Sequence, residues 1–455
     1  MLRHKHFRTV WCGALISSVG GWMEMIGVQW QMAQITLDKD WVAAGHPGAS
    51  LMMAYLGTAQ LAPTLLLGIA GGVVADRVNR KKMLLLTQVI LMVVAAFLAV
   101  ASIPAVGWLS PMFLIGISLV NGITMAFNVP AWQVLTPRLV PREELTKAIT
   151  LNGIQFNLAR IVGPGLGGLL MAYYGPTALF VVNTVSFLGV ILAVWSTPDS
   201  PPPARDGRRA MEQVREAVAF VFGNKGPCRV FLALVIFSIL AAPLVRMLPL
   251  FIKEVYHQEE RTFGIMLAVM GVGAVLGGLA LKLMPSWYPK HHFIPLSMTL
   301  SGISVLLFSV VNSVYLASGL IFFVGVFWLW SFNSSMSAMQ LLVDDRMRGR
   351  VLAVCNTAIF GANPLGLLLA GYIGHVVAGH ADGSESGAGA QIGVGALSAV
   401  LVVAALIMLI WRTPEVDGIM PGQAGYDRKP GLIRGILANE HRPTILPPRN
   451  SPPMK

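Results

Sequence analysis

Charged residues are scarce in this chain: Asp, Glu, Lys and Arg together make up 12% of its 455 residues. A soluble protein of this size carries about twice that charged fraction. The sequence is instead 55% hydrophobic, with a mean hydropathy of +0.67. This composition argues against a soluble protein and indicates a chain that is embedded in a membrane over most of its length.

Cysteine is also rare. The three cysteines, Cys12, Cys228 and Cys355, lie far apart in the sequence. Their spacing gives neither a disulfide framework nor a metal site, so we interpret them as small buried hydrophobic residues. The sequence also lacks a zinc-protease helix motif, a nucleophile elbow and a phosphate-binding loop. We therefore expect no enzymatic activity, no metal and no cofactor.

Long apolar runs dominate what remains, and each is long enough to cross a hydrocarbon core of about 30 Å as a helix. The first run has no small-residue cleavage pattern, so we interpret it as a retained helix. The pattern predicts an all-α membrane protein with twelve transmembrane helices. They are residues 8–35, 49–75, 83–103, 110–134, 147–172, 177–197, 230–252, 263–284, 293–311, 314–340, 350–378 and 393–411.

The distribution of basic residues predicts the topology. If both termini are cytoplasmic, the cytoplasmic segments hold 28 of the 33 lysines and arginines, and the outer loops hold only Lys39, Lys253 and Arg261. This asymmetry is the one that membrane insertion favours. We attribute the net charge of +12 to topology and to attraction by anionic lipid. We do not attribute it to nucleic-acid binding.

The chain divides into two apolar halves. We predict a six-helix bundle over residues 1–197, a cytoplasmic linker over 198–229 and a second six-helix bundle over 230–412. The linker contains an amphipathic pattern between Arg208 and Phe222, which we expect to lie on the membrane surface. The tail, residues 413–455, is rich in proline and glycine, and we expect it to be disordered.

Glycine and proline positions repeat between the two halves at a distance of about 200 residues. Internal repeats of this kind are a known architecture of secondary transporters. The repeat predicts two pseudo-symmetric bundles. The matched positions are Gly71 with Gly277, Gly122 with Gly325, and Pro164 with Pro364.

The loop after the second span carries the sequence Gly72-Val-Val-Ala-Asp76-Arg77-Val-Asn79-Arg80-Lys81-Lys82. It resembles the loop signature of the major facilitator superfamily. Asn79 stands where that signature has glycine, and we expect it to tolerate a left-handed turn. The resemblance implies that this segment, and Asp76 above all, latches the two halves together near Arg350. The residues assigned to this latch are Gly72, Asp76, Arg77, Arg80 and Lys81.

The fifth span contains Ala159-Arg160-Ile161-Val162-Gly163-Pro164-Gly165-Leu166-Gly167-Gly168. It resembles a signature of drug/proton antiporters in the same superfamily, with Ala159 in place of a glycine. Gly163, Pro164, Gly167 and Gly168 match that signature. Close helix packing alone also explains these residues. The chain further resembles the bacterial branch that contains siderophore exporters of the enterobactin type, which implies a multi-pass protein of the bacterial inner membrane.

Three charged side chains lie inside predicted membrane helices: Glu24, Arg160 and Arg246. Each costs about 2.5 to 3.5 kcal/mol to insert without a partner. Residue counts from the cytoplasmic ends predict that all three lie at one depth. Either Glu24 and Arg160 form a fixed ion pair, or they couple transport to protons as the central cavity opens and closes.

The sum of these charges is positive whether or not Glu24 is protonated, which favours an anionic or acidic substrate group. We predict Arg246 as its main contact. Polar residues of neighbouring helices complete the candidate substrate site: Asn121, Asn128, Asn157, Asn333 and Gln31.

We conclude from the sequence that the chain is a secondary active transporter working by alternating access. The favoured function is proton-coupled export of a small amphipathic or anionic compound, such as a drug or a siderophore-like molecule. An importer of a polar or anionic solute is the main alternative, followed by a non-transporting receptor or a membrane enzyme. The expected partners are a small-molecule substrate, protons and membrane lipid, and we expect a monomer.

Overall fold

The computed structural model describes residues 4–141, 144–198, 210–283, 289–378, 386–410 and 414–417. These residues form helices joined by short turns, and no strand occurs among them. The helices are α1 Lys5–Thr36, α2 Lys39–Ala43, α3 Ala49–Arg77, α4 Arg80–Ala101, α5 Pro111–Arg138, α6 Leu145–Tyr174, α7 Pro176–Trp195, α8 Ala210–Gly223, α9 Lys225–Ala241, α10 Pro243–Leu250, α11 Glu260–Leu283, α12 Lys290–Val310, α13 Val314–Leu342, α14 Asp345–Ala378 and α15 Ser386–Ile410.

Each of the twelve predicted spans coincides with a long helix; α9, α10 and the π-helical turn Phe251–Val255 form one continuous span. Ten of the twelve are long and apolar enough to cross a membrane by length and composition. The other two are α1 and α6, which carry Glu24 and Arg160 in their middles. A charged residue and several small or polar neighbours lower the hydropathy of both helices.

The helices pack as two groups with matching contacts. In the first bundle (α1 and α3–α7), α3 packs on α5, and α4 packs on α5 and α7. In the second bundle (α9–α15), α11 packs on α13, and α12 packs on α13 and α15. A Cβ atom at Gly122 would overlap the Gln60 carbonyl of α3, and one at Gly325 would overlap the Met270 carbonyl of α11. The repeated glycines therefore make the same close approach in each half.

The two ends of the molecule differ in charge. We name the end at which α1 begins the basic end. There, the Lys81 Nζ atom donates to the Thr197 carbonyl at 2.5 Å, and His4 bonds Glu144 at 2.8 Å. At the opposite end, Ser102 bonds Thr177 at 2.9 Å. We name this opposite end the acidic end because five acidic residues line a groove there. They are Asp38, Asp40, Glu254, Glu259 and Glu260.

The two bundles meet along a seam made by two helix pairs, α3 with α14 and α6 with α11. These pairs are equivalent under the internal repeat. Small residues bring the backbones together: the α-carbons of Gly168 and Gly264 lie so close that a Cβ on either would overlap the other glycine. On the other side of the seam, a Cβ at Gly371 would lie 2.5 Å from Ala54 Cβ. Such close approach maximises dispersion contacts in a lipid environment.

Trp30 of α1 closes the acidic end of the seam. Its ring stacks on Phe263 of α11 with a centroid distance of 6.0 Å, and the Lys253 ammonium lies 4.9 Å from its centroid. Trp30 is 4% exposed and Phe263 is fully buried. A residue of the first bundle is thus held between an aromatic ring and a cation of the second.

The bundles separate toward the basic end. On one face of α6, Gly168 and Met171 are buried near the acidic end, whereas Gly153 and Asn157 are exposed near the basic end. Among the described residues, the main contacts of α5 and α13 are with helices of their own bundles. Contacts between the bundles among the described residues are therefore concentrated toward the acidic end, and we interpret the structure as open toward the basic end.

The expectation of a left-handed turn at Asn79 needs correction. Asn79 has φ −64° and makes no left-handed turn. Its side chain instead caps α4 by accepting from the Lys81 and Lys82 amides at 3.0 and 3.3 Å.

The linker helix α8 packs on α9 and α14, and Glu216 bonds Arg350 at 3.1 Å. Its apolar side is therefore covered partly by protein.

The start of the tail is ordered, contrary to our expectation of disorder from residue 413. Pro414–Asp417 forms a short 3-10 helix against α9, α12 and α13. Glu415 is 4% exposed and bonds Arg229 of α9 at 2.6 Å. Residues 418–455, also predicted to be disordered, lie outside the described part of the chain.

We predict that Gly168→Ala destabilises the protein by about 1 to 3 kcal/mol, because the added methyl group would overlap the Gly264 backbone across the seam. Thermal unfolding in detergent measures the effect. The control is Gly116→Ala on α5, where a Cβ would meet nothing within 4 Å. Equal unfolding temperatures for the two variants would contradict the close seam.

We predict that Trp30→Ala opens the acidic end, because it removes an aromatic stack and a cation–π contact worth about 0.5 to 2 kcal/mol each. The measurement is the reaction of a cysteine introduced at Ala33, which is fully buried about one turn beyond Trp30, with a membrane-impermeant thiol reagent, after the native cysteines are replaced by serine. We expect the rate to rise several-fold. Trp195→Ala, which removes a tryptophan that is 69% exposed, should leave the rate unchanged.

Candidate functional site

Glu24 lies near the middle of α1, inside the first bundle, and is 7% exposed. One carboxylate oxygen accepts from the Asn121 amide of α5 at 3.2 Å, and the other accepts from the Asn183 amide of α7. Asn183 itself is fully buried. Two amide donors from two helices thus satisfy both oxygens of a buried carboxyl group.

Glycines of α1 explain how Asn183 reaches this carboxyl group. A Cβ at Gly20 would lie 2.6 Å from Ser186 Oγ, and one at Gly27 would lie 3.1 Å from the Phe180 ring. Both glycines face α7, one turn or less on either side of Glu24. The helices therefore approach closely enough for a short Asn side chain to bridge them.

Arg246 belongs to the second bundle but bonds to the first. The helix α10 begins at Pro243, and the Arg246 Nη1 atom donates to Gln60 Oε1 of α3 at 2.7 Å. The Arg246 Cδ atom also lies 3.9 Å from the position of a Cβ at Gly57. The guanidinium therefore crosses the seam into α3.

Glu24 and Arg246 line the same small cavity. Its other polar lining residues are Gln29, Gln60, Ser118 and Asn121. The space open to the centre of a water molecule is about 10 Å³, near the minimum that holds one water. Both side-chain polar atoms of Gln29, which is 1% exposed, lack a hydrogen-bond partner among the described residues. This cavity joins the carboxyl group of one bundle to the guanidinium of the other.

Arg160 does not share the depth of Glu24. The helices α1 and α6 run in parallel, with Gly163 against Val19 and Trp22, and Gly167 against Met23 and Ile26. This register puts Arg160 about five residues, or about 7 Å, nearer to the basic end than Glu24.

The described contacts also do not pair Glu24 with Arg160. Within the described part of the chain, Arg160 has no hydrogen bond or ion pair, and Glu24 bonds only to the two asparagines. The fixed ion pair that we considered is therefore absent in this conformation. Arg160 lies on the same face of α6 as the exposed Asn157, so it faces the opening toward the basic end.

The other candidate substrate residues separate into two groups. Asn157 and Asn333 are exposed, and Asn157 donates to its own helix at the Gly153 carbonyl. Asn128 needs correction: it is 4% exposed and donates to Thr87 of α4 at 2.8 Å, inside the first bundle. Gln31 is also buried, at 4% exposure. The residues around these positions are mostly apolar, so the sequence did not indicate which face of its helix each polar residue would occupy.

The latch segment lies at the basic end. Gly72 is partly exposed, and a Cβ there would meet nothing within 4 Å. Arg80 is 4% exposed, and Lys81 bonds the end of α7. The side chains of Asp76 and Arg77 lie outside the part that the structure describes. The described partner of Arg350 is Glu216, so the latch remains a prediction.

The antiporter-like segment has two contacting faces. Gly163 and Gly167 lie against α1, whereas Gly168 lies against α11 across the seam. Pro164 lies inside α6 between these faces. The segment therefore joins the helix that carries Glu24 to the helix pair that closes the seam.

Sequence reasoning missed three polar residues of this site: Gln29, Gln60 and Asn183. Each stands in an apolar run, and Asn183 is flanked by Val181, Val182 and Val185. A search for amide side chains inside apolar spans, at the depth of Glu24, would have found Asn183 and Gln60.

Comparisons with known proteins identify the family of the chain. A family model described as transmembrane secretion effector matches residues 1–426. The chain is 24% identical to the staphyloferrin A transporter of Staphylococcus aureus, over 77% of this chain and 85% of that protein. It is 23% identical to macrolide efflux protein A of Streptococcus pyogenes (80% and 88%), and 25% identical to the enterobactin exporter of Citrobacter koseri (90% and 92%).

Solved structures share the fold. A bacterial homologue of the human lysosomal transporter Spinster, in an inward-facing and unoccupied conformation, matches with a TM-score of 0.66 at 15% identity, over 89% of this chain and 95% of that one. A D-xylose–proton symporter matches with a TM-score of 0.64 at 14% identity, over 90% and 98%. By the match over nearly its whole length, the chain belongs to the transmembrane secretion effectors, a family of membrane transporters within the major facilitator superfamily.

Proposed function

We propose that this transporter is a proton-coupled exporter of small amphipathic or anionic compounds in the bacterial inner membrane. The observation that carries the proposal is a titratable carboxyl group, Glu24, buried inside the first bundle and lining a cavity that Arg246 of the second bundle also lines. The relatives named as exporters or efflux proteins support the direction.

Orientation follows from charge. The segments that the sequence predicts to lie at the basic end hold 28 of the 33 lysines and arginines, so the positive-inside rule makes this end cytoplasmic. The opening then admits substrate from the cytoplasm, and the closed acidic end faces outward. Alternating access moves the substrate when the basic end closes and the acidic end opens.

Glu24 is the proposed proton carrier. It is the acidic residue that we identified inside a membrane helix, and it lines the cavity next to the seam. Two amide hydrogen bonds stabilise its ionised form, whereas burial away from water favours its neutral form. A group balanced between these forms can bind a proton in one conformation and release it in the other.

The structure changes our choice of substrate contact. Arg246 bonds Gln60 in the closed part of the seam, whereas Arg160 faces the opening beside Asn157. We therefore propose Arg160 as the main contact of an anionic substrate group, with Asn157 and Asn333 as polar neighbours. A guanidinium binds carboxylate groups through two parallel hydrogen bonds.

We predict that Glu24→Gln abolishes transport driven by a pH gradient, because glutamine keeps the size and one of the two hydrogen-bond acceptors but cannot carry a proton. The measurement is accumulation of staphyloferrin A, enterobactin or a macrolide in everted membrane vesicles with an imposed gradient. Substrate exchange without a gradient should persist. Glu212→Gln, on the exposed side of α8, is the control.

Gradient-driven accumulation that survives in Glu24→Gln would remove the proton-carrier role. Movement of the probes in the opposite direction, out of everted vesicles under the same gradient, would instead favour the importer.

We predict that Arg160→Met weakens binding of an anionic probe by about tenfold or more, because a hydrogen bond to a charged group contributes about 1.5 to 3 kcal/mol. Binding of an uncharged probe should change little. The measurement is the concentration dependence of transport for both probes. Arg215→Met on the exposed surface of α8 is the matched control, and equal losses for both probes would contradict the assignment.

A further inference from the structure

Arg246 reaches from the second bundle into the first. Its hydrogen bond to Gln60 joins α10 to α3 at 2.7 Å, and its stem lies beside Gly57 of the same helix. A movement that opens the acidic end must pull α10 away from α3. This hydrogen bond therefore has to break when the acidic end opens.

A charge of opposite sign faces Arg246 across the same cavity. Glu24 belongs to the first bundle, so attraction between the two groups also acts across the seam. The cavity is small and lies among buried residues, where opposite charges attract more strongly than in water. Gln29 presents an unpaired buried amide to this space, and the polar lining meets the conditions for one bridging water.

Other groups near Glu24 carry no charge. Its neighbours from α3, α5 and α7 are Gln60, Ser118, Asn121 and Asn183, all of them neutral. Arg160 of α6 lies about 7 Å farther toward the basic end. Among the residues that line the cavity, Arg246 is the other charged group. The charge of Glu24 therefore acts on the second bundle chiefly through Arg246.

We propose that attraction between Glu24 and Arg246, together with the hydrogen bond from Arg246 to Gln60, holds the acidic end of the transporter closed. When Glu24 binds a proton, the attraction is lost and the acidic end opens more readily. Gln60 and Gln29 are positioning residues: Gln60 fixes the guanidinium, and Gln29 holds the water between the two charged groups. This mechanism rests on the proposed role of Glu24 as the proton carrier.

A pair of spin labels tests the proposal. Cysteines at Gln34 and Gln258, two exposed neutral residues that line the groove at the acidic end, carry the labels after the native cysteines are replaced by serine. They belong to different bundles, so their distance increases when the acidic end opens. Pulsed electron resonance gives the ratio of open to closed molecules in lipid nanodiscs.

We expect Glu24→Gln to raise the ratio of open to closed molecules by about tenfold, within the range of coupling between residues that share a cavity. Arg246→Met should raise it further, because this variant also loses the hydrogen bond to Gln60. The double variant should exceed Glu24→Gln but should not exceed Arg246→Met, because Arg246→Met already removes the attraction as well as the hydrogen bond to Gln60. Lower pH should raise the ratio in the wild type and leave it unchanged in Glu24→Gln. An additive double variant, or no change in Glu24→Gln, would overturn the proposal.

Gln60→Leu tests the hydrogen bond separately, and it should also raise the ratio. Gln155→Leu is the matched control, because Gln155 bonds Ser18 at 3.1 Å within the first bundle and not across the seam. If Arg246→Met fails to fold, Arg246→Lys keeps the charge, should stay closed and should retain the response to pH. Loss of that response in Arg246→Lys would contradict a role for charge.

The two proposals fail in different ways. If Glu24→Gln retains gradient-driven transport but opens the acidic end, Glu24 is not the proton carrier and the attraction across the seam stands. If Glu24→Gln loses gradient-driven transport while the labels show additive effects, Glu24 carries the proton without acting through Arg246.

Discussion

The structure depends on how a bundle of apolar helices accommodates a carboxyl group far from water. An unpaired charge in that position costs free energy, and hydrogen bonds from two amide side chains offset this cost. Asn121 and Asn183 each donate one hydrogen bond to Glu24. Because the donors come from α5 and α7, the same contacts fix the position of α1 inside its bundle. A neutral shell of this kind also leaves the carboxyl group free to change its charge, which a fixed ion pair with arginine would oppose.

Symmetry explains much of the remaining architecture. The second helix of one half packs on the fifth helix of the other, and this happens twice. Glycines make both contacts close, so the bundles meet along two narrow lines of small residues and not over a broad interdigitated surface. Surfaces of this kind can rock against each other without unpacking large side chains. The specific contacts that oppose rocking, at Trp30 and at Arg246, are few and lie on the acidic side.

The fold was predictable because its signals are strong and repeated. Apolar runs gave the helices, basic residues gave a consistent topology, and glycine and proline at matched positions gave the internal repeat. The details of the site were less predictable. Depth counted from helix ends placed Glu24 and Arg160 together, but the register of two packed helices depends on which glycines meet which side chains. Asn128 and Asn121 lie two turns apart on one helix, yet only Asn121 reaches the carboxyl group.

The ordered start of the tail has a practical consequence. Glu415 neutralises Arg229 near the first turn of the seventh span, and a Cβ at Gly226 would lie 2.5 Å from the Glu415 carbonyl oxygen. Truncation before Pro414 would leave that guanidinium without its carboxylate at the point where the linker enters the membrane. Affinity tags and fluorescent fusions attached beyond Asp417 preserve this anchor, whereas shortened proteins that end at the last membrane helix lose it.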